Sequence, residues 1–133
     1  MQNLSDLTDA LLAAAKTAGA DAADAIATDG RSLSIEVRNG ALEQAERAEG
    51  IEIGLRVLVG QRQACGAASD ISADTIAEVA ERAVAMAGIA PEDPHIGLAD
   101  RSQIADGWNT AALDLVDIGV DPAPADLQAA AAE

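Results

Sequence analysis

Aromatic side chains are all but missing from this sequence, which has no phenylalanine, no tyrosine and one tryptophan, Trp108. A core of large rings is excluded, and with it a deep ligand pocket walled by aromatics. Any core must be built from Ile, Leu, Val and Ala, so helix and sheet have to approach each other closely. Cysteine is as scarce. Cys65 stands alone, which rules out an internal disulfide and points to a reducing compartment, the cytoplasm. His95 is the single histidine, too few for the multi-ligand set of a zinc site. Positive charge is short as well: 8 basic residues stand against 23 acidic ones, a formal charge of −15. That field repels phosphate backbones and anionic lipid surfaces, so neither nucleic acid nor membrane is expected as a direct partner. The start of the chain lacks the basic and long apolar regions of a signal peptide. No uncharged apolar run approaches the ~20 residues of a spanning helix.

What the sequence does have is alternation. Leu33, Ile35 and Val37 alternate with Ser34, Glu36 and Arg38, and Asn39-Gly40 follows at once. That dipeptide supplies the two positive φ angles of a tight type I′ hairpin. Ile51, Ile53, Leu55, Val57 and Val59 alternate again further on. Such period-two patterns put one set of side chains on a covered face, each worth roughly 1.5–3 kcal/mol when fully buried. Asp29-Gly30, Glu49-Gly50 and Gly60-Gln61 read as further turns. They separate a weak alanine-rich strand over 21–29, an exposed polar strand over 41–48 and a last strand of small residues over 63–69. Gly54, inside a good strand, implies a bulge or a close contact.

Helices flank this region. Ser5 or Asp6 can cap a first helix over about 6–18, with Leu7, Leu11, Leu12 and Ala15 on one face and Gly19 at its end. Ser72 caps a second, in which Ile76, Val79, Ala80, Ala83, Val84 and Ala87 keep strict helical spacing. Gly88 is expected to end it and Pro91 to prevent a restart. The fold class is therefore α+β: an antiparallel meander of four to five strands packed against two amphipathic helices. Residues 1–90 form that domain. Residues 91–133 form an irregular, proline-broken extension, with Trp108 isolated among polar residues and Leu113, Leu115, Val116 and Ile118 without clear period. Pro124 suits the first position of a closing helix. The sequence breaks off as that helix begins, the mark of a piece of a longer chain or an incomplete gene product.

No catalytic, cofactor-binding or metal-binding residue emerges. His95 lies between Pro94 and Ile96 and reads as a surface loop residue. Cys65, flanked by Ala64 and Gly66, lacks an activating base and reads as a small buried sheet residue. Asp21 with Asp24, and Glu46 with Glu49, read as solvated edges that discourage aggregation. Ser69-Asp70 has no histidine to complete a nucleophilic triad. Gly50, Gly54 and Gly60 do not precede a helix, as a phosphate-cradling loop must. Arg56 is the charged residue to watch. It sits mid-strand with the parity of Glu36, so a cross-strand ion pair is the structural reading, and a partner's carboxylate the functional one.

The string from Ser34 to Glu43, then Gly54 to Val57 and Gly66 to Asp70, resembles the N-terminal domain of the TldD/PmbA (TldE) family, once labelled modulators of DNA gyrase. The helix from Ser72 to Ala87, Asp93-Pro94 and the stretch from Gly97 to Asp100 extend the likeness. The segment from Leu113 to Asp117 is more similar to the PmbA (TldE) side. The resemblance implies a component of a metallopeptidase that degrades unfolded peptides and matures peptide substrates. Zinc would lie in a TldD-type partner subunit, on an HExxxH motif this chain lacks, so no family catalytic residue carries over. The implied role is non-catalytic, in assembly and in enclosing a proteolytic chamber, with a TldD-type subunit as partner and peptide as substrate of the assembly. The alternative is a free-standing acidic module that binds peptide or protein by strand addition at its exposed strands.

Overall fold

The computed structural model describes residues 3–105, 107, 109–117 and 121–132. The expectations for Trp108 and Ile118 lie outside the described residues. The chain runs helix α1 (Leu4–Ala18), strands β1 (Ala22–Arg38), β2 (Ala41–Val59) and β3 (Arg62–Ala68), helix α2 (Ala73–Ile89) and helix α3 (Pro124–Ala132), with two short 3₁₀ turns before α3. The sheet has three strands in the order β1-β2-β3. The class is α+β and the sheet antiparallel, as expected, but the count of four to five strands is corrected to three.

The difference lies in two glycines. Asn39 and Gly40 adopt φ of 52° and 76° and make the hairpin, and Gly60, at 58°, sits in the next turn. Gly30 and Gly50 are not among the positive-φ residues; the chain passes through both in extended form. A tight two-residue hairpin forms only where the backbone adopts left-handed angles, and Asp-Gly or Glu-Gly merely permits them.

The chain divides into two compact units, Met1–Gly30 with Gly50–Leu98, and Arg31–Glu49 with Ala99–Glu133. The first holds the core. Leu7, Leu11 and Ala15 from α1, Ile53, Leu55 and Val57 from β2, and Ile76, Val79, Ala80, Ala83 and Ala87 from α2 form one buried cluster. α2 packs on both β3 and α1. The close approach demanded by a ring-free core is visible at Gly66, where a Cβ would stand 3.1 Å from Val79 Cγ1. β3 pairs β2 antiparallel from Ile53↔Ala68 to Val59↔Arg62.

Both helices of this unit are capped by short polar side chains. The α1 cap is Asn3 rather than Ser5 or Asp6, its Oδ1 accepting the Ser5 N–H at 3.1 Å. Gly19 ends α1 at φ 103°, as expected of a left-handed terminus. Ser72 caps α2, its Oγ accepting the Thr75 N–H at 3.3 Å. Gly88 does not stop α2, which continues to Ile89. The stop is Pro91, which holds the preceding residue, Ala90, extended at φ −66°, ψ 153°. Arg62 takes the place of a glycine cap, its Nη1 donating to the Gly88 carbonyl at 2.8 Å and its Nη2 reaching Glu92 at 3.2 Å. Beside it, the Asp93 N–H donates to the Gln61 carbonyl at 2.8 Å.

The second unit has no fully buried residue among those described. Leu33, Ile35 and Val37 are half-buried, whereas every residue from Ala41 to Glu49 is exposed. Ion pairs join Arg31 to Asp121 (3.4 Å), Arg38 to Glu43 (3.0 Å) and Arg47 to Glu49 (3.2 Å).

Candidate functional site

Parity places the residues of interest. In the first unit, Ala64, Gly66 and Ala68 of β3 and Ile53, Leu55 and Val57 of β2 point to the buried side. Their neighbours Cys65, Ala67, Gly54 and Arg56 therefore occupy the opposite face, together with Asp24 and Ile26 of β1. These side chains line a shallow hollow of about 500 Å³. Gly54 forms its floor, and a Cβ there would meet Ile26 Cγ2 at 3.0 Å. The sequence indicated a close contact at this glycine, and Ile26, itself 62% exposed, supplies it.

Arg56 crosses the hollow. Its Nε donates to Asp24 Oδ1 at 2.9 Å and its Nη2 to Oδ2 at 2.5 Å, a two-point clasp. The expected partner, Glu36, is corrected to Asp24, because the single hairpin at Asn39-Gly40 carries β2 back to the beginning of β1. The guanidinium bonds hold the Asp24 carboxyl below its ordinary pKa, outweighing the opposing effect of burial, and the same bonds raise Arg56. Both charges are matched, so Arg56 is not poised to seize a partner's carboxylate.

Cys65 lies directly across from Arg56 in the β2–β3 register. It is exposed, not buried as its small neighbours suggested. Ala64 and Gly66 take the positions on the α2 side, which leaves Cys65 on the opposite face of the sheet.

The other candidates serve local structure. Asp21 Oδ2 accepts the Gly60 N–H at 2.7 Å and steadies the β2–β3 turn. Asp70 accepts from the Ser72 hydroxyl at 2.7 Å and from the Thr75 hydroxyl, which lowers its carboxyl pKa, Thr75 contributing most. These bonds tie the residues before α2 to its first turn, and Ser69 is exposed with no part in them. His95 is an exposed loop residue whose N–H donates to Asp93 Oδ1 at 2.9 Å. Glu46 and Glu49 are exposed, Glu49 paired with Arg47. Among the described residues, no group of three His, Cys, Asp or Glu is placed to hold a metal ion. Among them, too, no helix is long and apolar enough to cross a membrane.

Sequence reasoning passed over Asp24 as the partner of Arg56. The one available signal was parity, since Asp24 stands between Ala23 and Ala25 and must face away from them.

Comparison with known proteins fits this architecture. The family profile described as PmbA/TldA metallopeptidase domain 1 matches residues 23–87. No curated protein matches the sequence significantly. A crystal structure from Bacteroides thetaiotaomicron, of a candidate modulator of DNA gyrase, is similar at TM-score 0.69 and 17% identity, covering 78% of this chain and 23% of the other. TldE from Thermococcus kodakarensis is similar at TM-score 0.62 and 16% identity, covering 71% of this chain and 21% of the other. This chain thus spans less than a quarter of the length of either solved structure. At those identities the likeness is one of fold. Taken with the profile match, it shows that residues 23–87 carry the first domain of the PmbA/TldD family.

Proposed function

We propose that this chain supplies the non-catalytic first domain of a PmbA/TldE-like subunit in a TldD/TldE-type zinc metalloprotease, acting in assembly and in enclosing the proteolytic chamber. The observation that carries the reading is the family match over residues 23–87 together with the fold shared with TldE. In this reading zinc and its chemistry reside in a TldD-type partner. The substrate of the assembly is peptide, and its setting the cytoplasm. The outer sheet face around Asp24, Arg56 and Cys65 is the surface offered to the rest of the assembly.

Light scattering on a mixture of this chain, joined to the remainder of its subunit, with a TldD-type subunit tests the reading. A defined complex that cleaves peptide, while the chain's own subunit alone does not, is the expected result. Two subunits that remain separate, or cleavage by this subunit alone, would overturn it.

A further inference from the structure

We infer that the free edge of β2 between Ala41 and Glu49 takes up an extended, basic segment of another protein chain as an added strand. The observation is one of unequal strand lengths. β2 runs from Ala41 to Val59, but β3 pairs with it only from Ile53 onward. Over Ala41–Glu49, β2 has β1 on one side and no described strand on the other. Its side chains there are exposed throughout, and main-chain donors and acceptors along such an edge template a further strand.

The side chains select the occupant. Edges are ordinarily blunted by charged side chains, above all lysine, or by proline or a bulge; this stretch has no lysine and no proline, and its charges, mostly acidic, repel an acidic or identical strand but not a basic one. Ala41, Ala45 and Ala48 leave room for a neighbour, and Glu43, Glu46 and Glu49 recur every third residue with Arg47 as the one cation of the stretch. Glu43 reaches Arg38 and Glu49 reaches Arg47 only through exposed ion pairs, weak enough for a neighbouring strand's cations to exchange with. A second copy pairing antiparallel about Glu46 would set Glu43 against Glu49 and Glu46 against itself. Like charges directly opposite destabilise a ladder and opposite charges support it. A strand with lysine or arginine at every third position meets each glutamate with its complement, and the net charge of −15 draws such a segment in. The inference stands apart from the subunit reading, since it concerns this edge alone.

The test uses the intact chain and a fluorescent nine-residue peptide of valine and threonine with lysine at its first, fourth and seventh positions. Amide shift changes confined to Ala41–Glu49 and its β1 neighbours are expected. So is binding at least tenfold weaker when glutamate replaces the three lysines, and a similar loss in the Glu43→Lys, Glu46→Lys, Glu49→Lys variant. A Gln44→Pro variant with unchanged circular dichroism is expected to lose binding as well. In the register set by the Asn39-Gly40 hairpin the N–H of residue 44 points away from β1, and its loss removes an edge donor while leaving every charge in place. No binding at millimolar peptide, shifts located elsewhere, equal binding of the acidic peptide, or self-association of the chain through this edge would each overturn the inference.

Discussion

Arg56 and Asp24 spend their charges on each other, and the consequence can be measured. Asp24 has a lowered carboxyl pKa because Arg56 donates to it, so the unfolded chain binds that proton more readily than the folded one. The pair's contribution is present above the ordinary aspartate value, about pH 4, and is lost as pH falls through the lower folded value. Because Asp24 is half-exposed, the contribution is about 0.2–1 kcal/mol, toward the upper end for a two-point geometry. Urea titrations of Asp24→Asn are expected to show that deficit at pH 7 and to converge with the parent as pH falls through the lowered folded value. At Cys65 the expected observation is chemical. An aromatic disulfide reagent should titrate one thiol in the native protein, without denaturant, because the residue is exposed on the outer sheet face. A thiol that reacts only after unfolding would contradict its placement.

At the scale of elements, the two core helices were legible in the sequence because spacing and capping agree. Ile76, Val79, Ala80, Ala83 and Ala87 occupy one stripe and all are buried, and Ser72 starts the helix where its side chain could accept. The sheet was half legible. Its alternation was plain, but Asp29-Gly30 was read as a corner. After Ala22, at which β1 begins, the half-buried positions of the strand keep the same parity on both sides of Gly30, at Ala23, Ala25 and Ala27 and then at Leu33, Ile35 and Val37. A two-residue turn at Asp29-Gly30 would have brought Leu33 to the face of Ile26, so the unbroken parity already favoured one long strand. The outer hollow was not legible, since it depends on which strand lies beside which. Leu11 gives the packing a direct measure. It is fully buried between α1 and its neighbours, and Leu11→Ala should cost about 2–5 kcal/mol in chemical denaturation. A loss under about 1 kcal/mol would mean that α1 is not part of the core.

For the whole molecule, charge dominates. A formal −15 spread over 133 residues works against the compact state through self-repulsion. Raising sodium chloride from about 10 to about 150 mM shortens the reach of that repulsion from roughly 30 to 8 Å. The thermal midpoint should therefore rise with salt over this range, opposite to the loss expected if exposed and half-exposed ion pairs such as Arg38–Glu43 and Arg56–Asp24 governed stability. The scarcity of aromatics has its counterpart in Gly66 and the small alanines of α2, which bring helix and sheet close enough to exclude water without rings.

Arg62, clasping both the last turn of α2 and Glu92, and Gln61, accepting from Asp93, act together as a splint on the chain just after Pro91. In deuterated water the Asp93 amide should accordingly keep its proton well after those of its loop neighbours have gone. Arg62→Ala should quicken its exchange while the amides of β2 hold theirs, so the thread leaving this helix is tethered at its root by the turn between two strands.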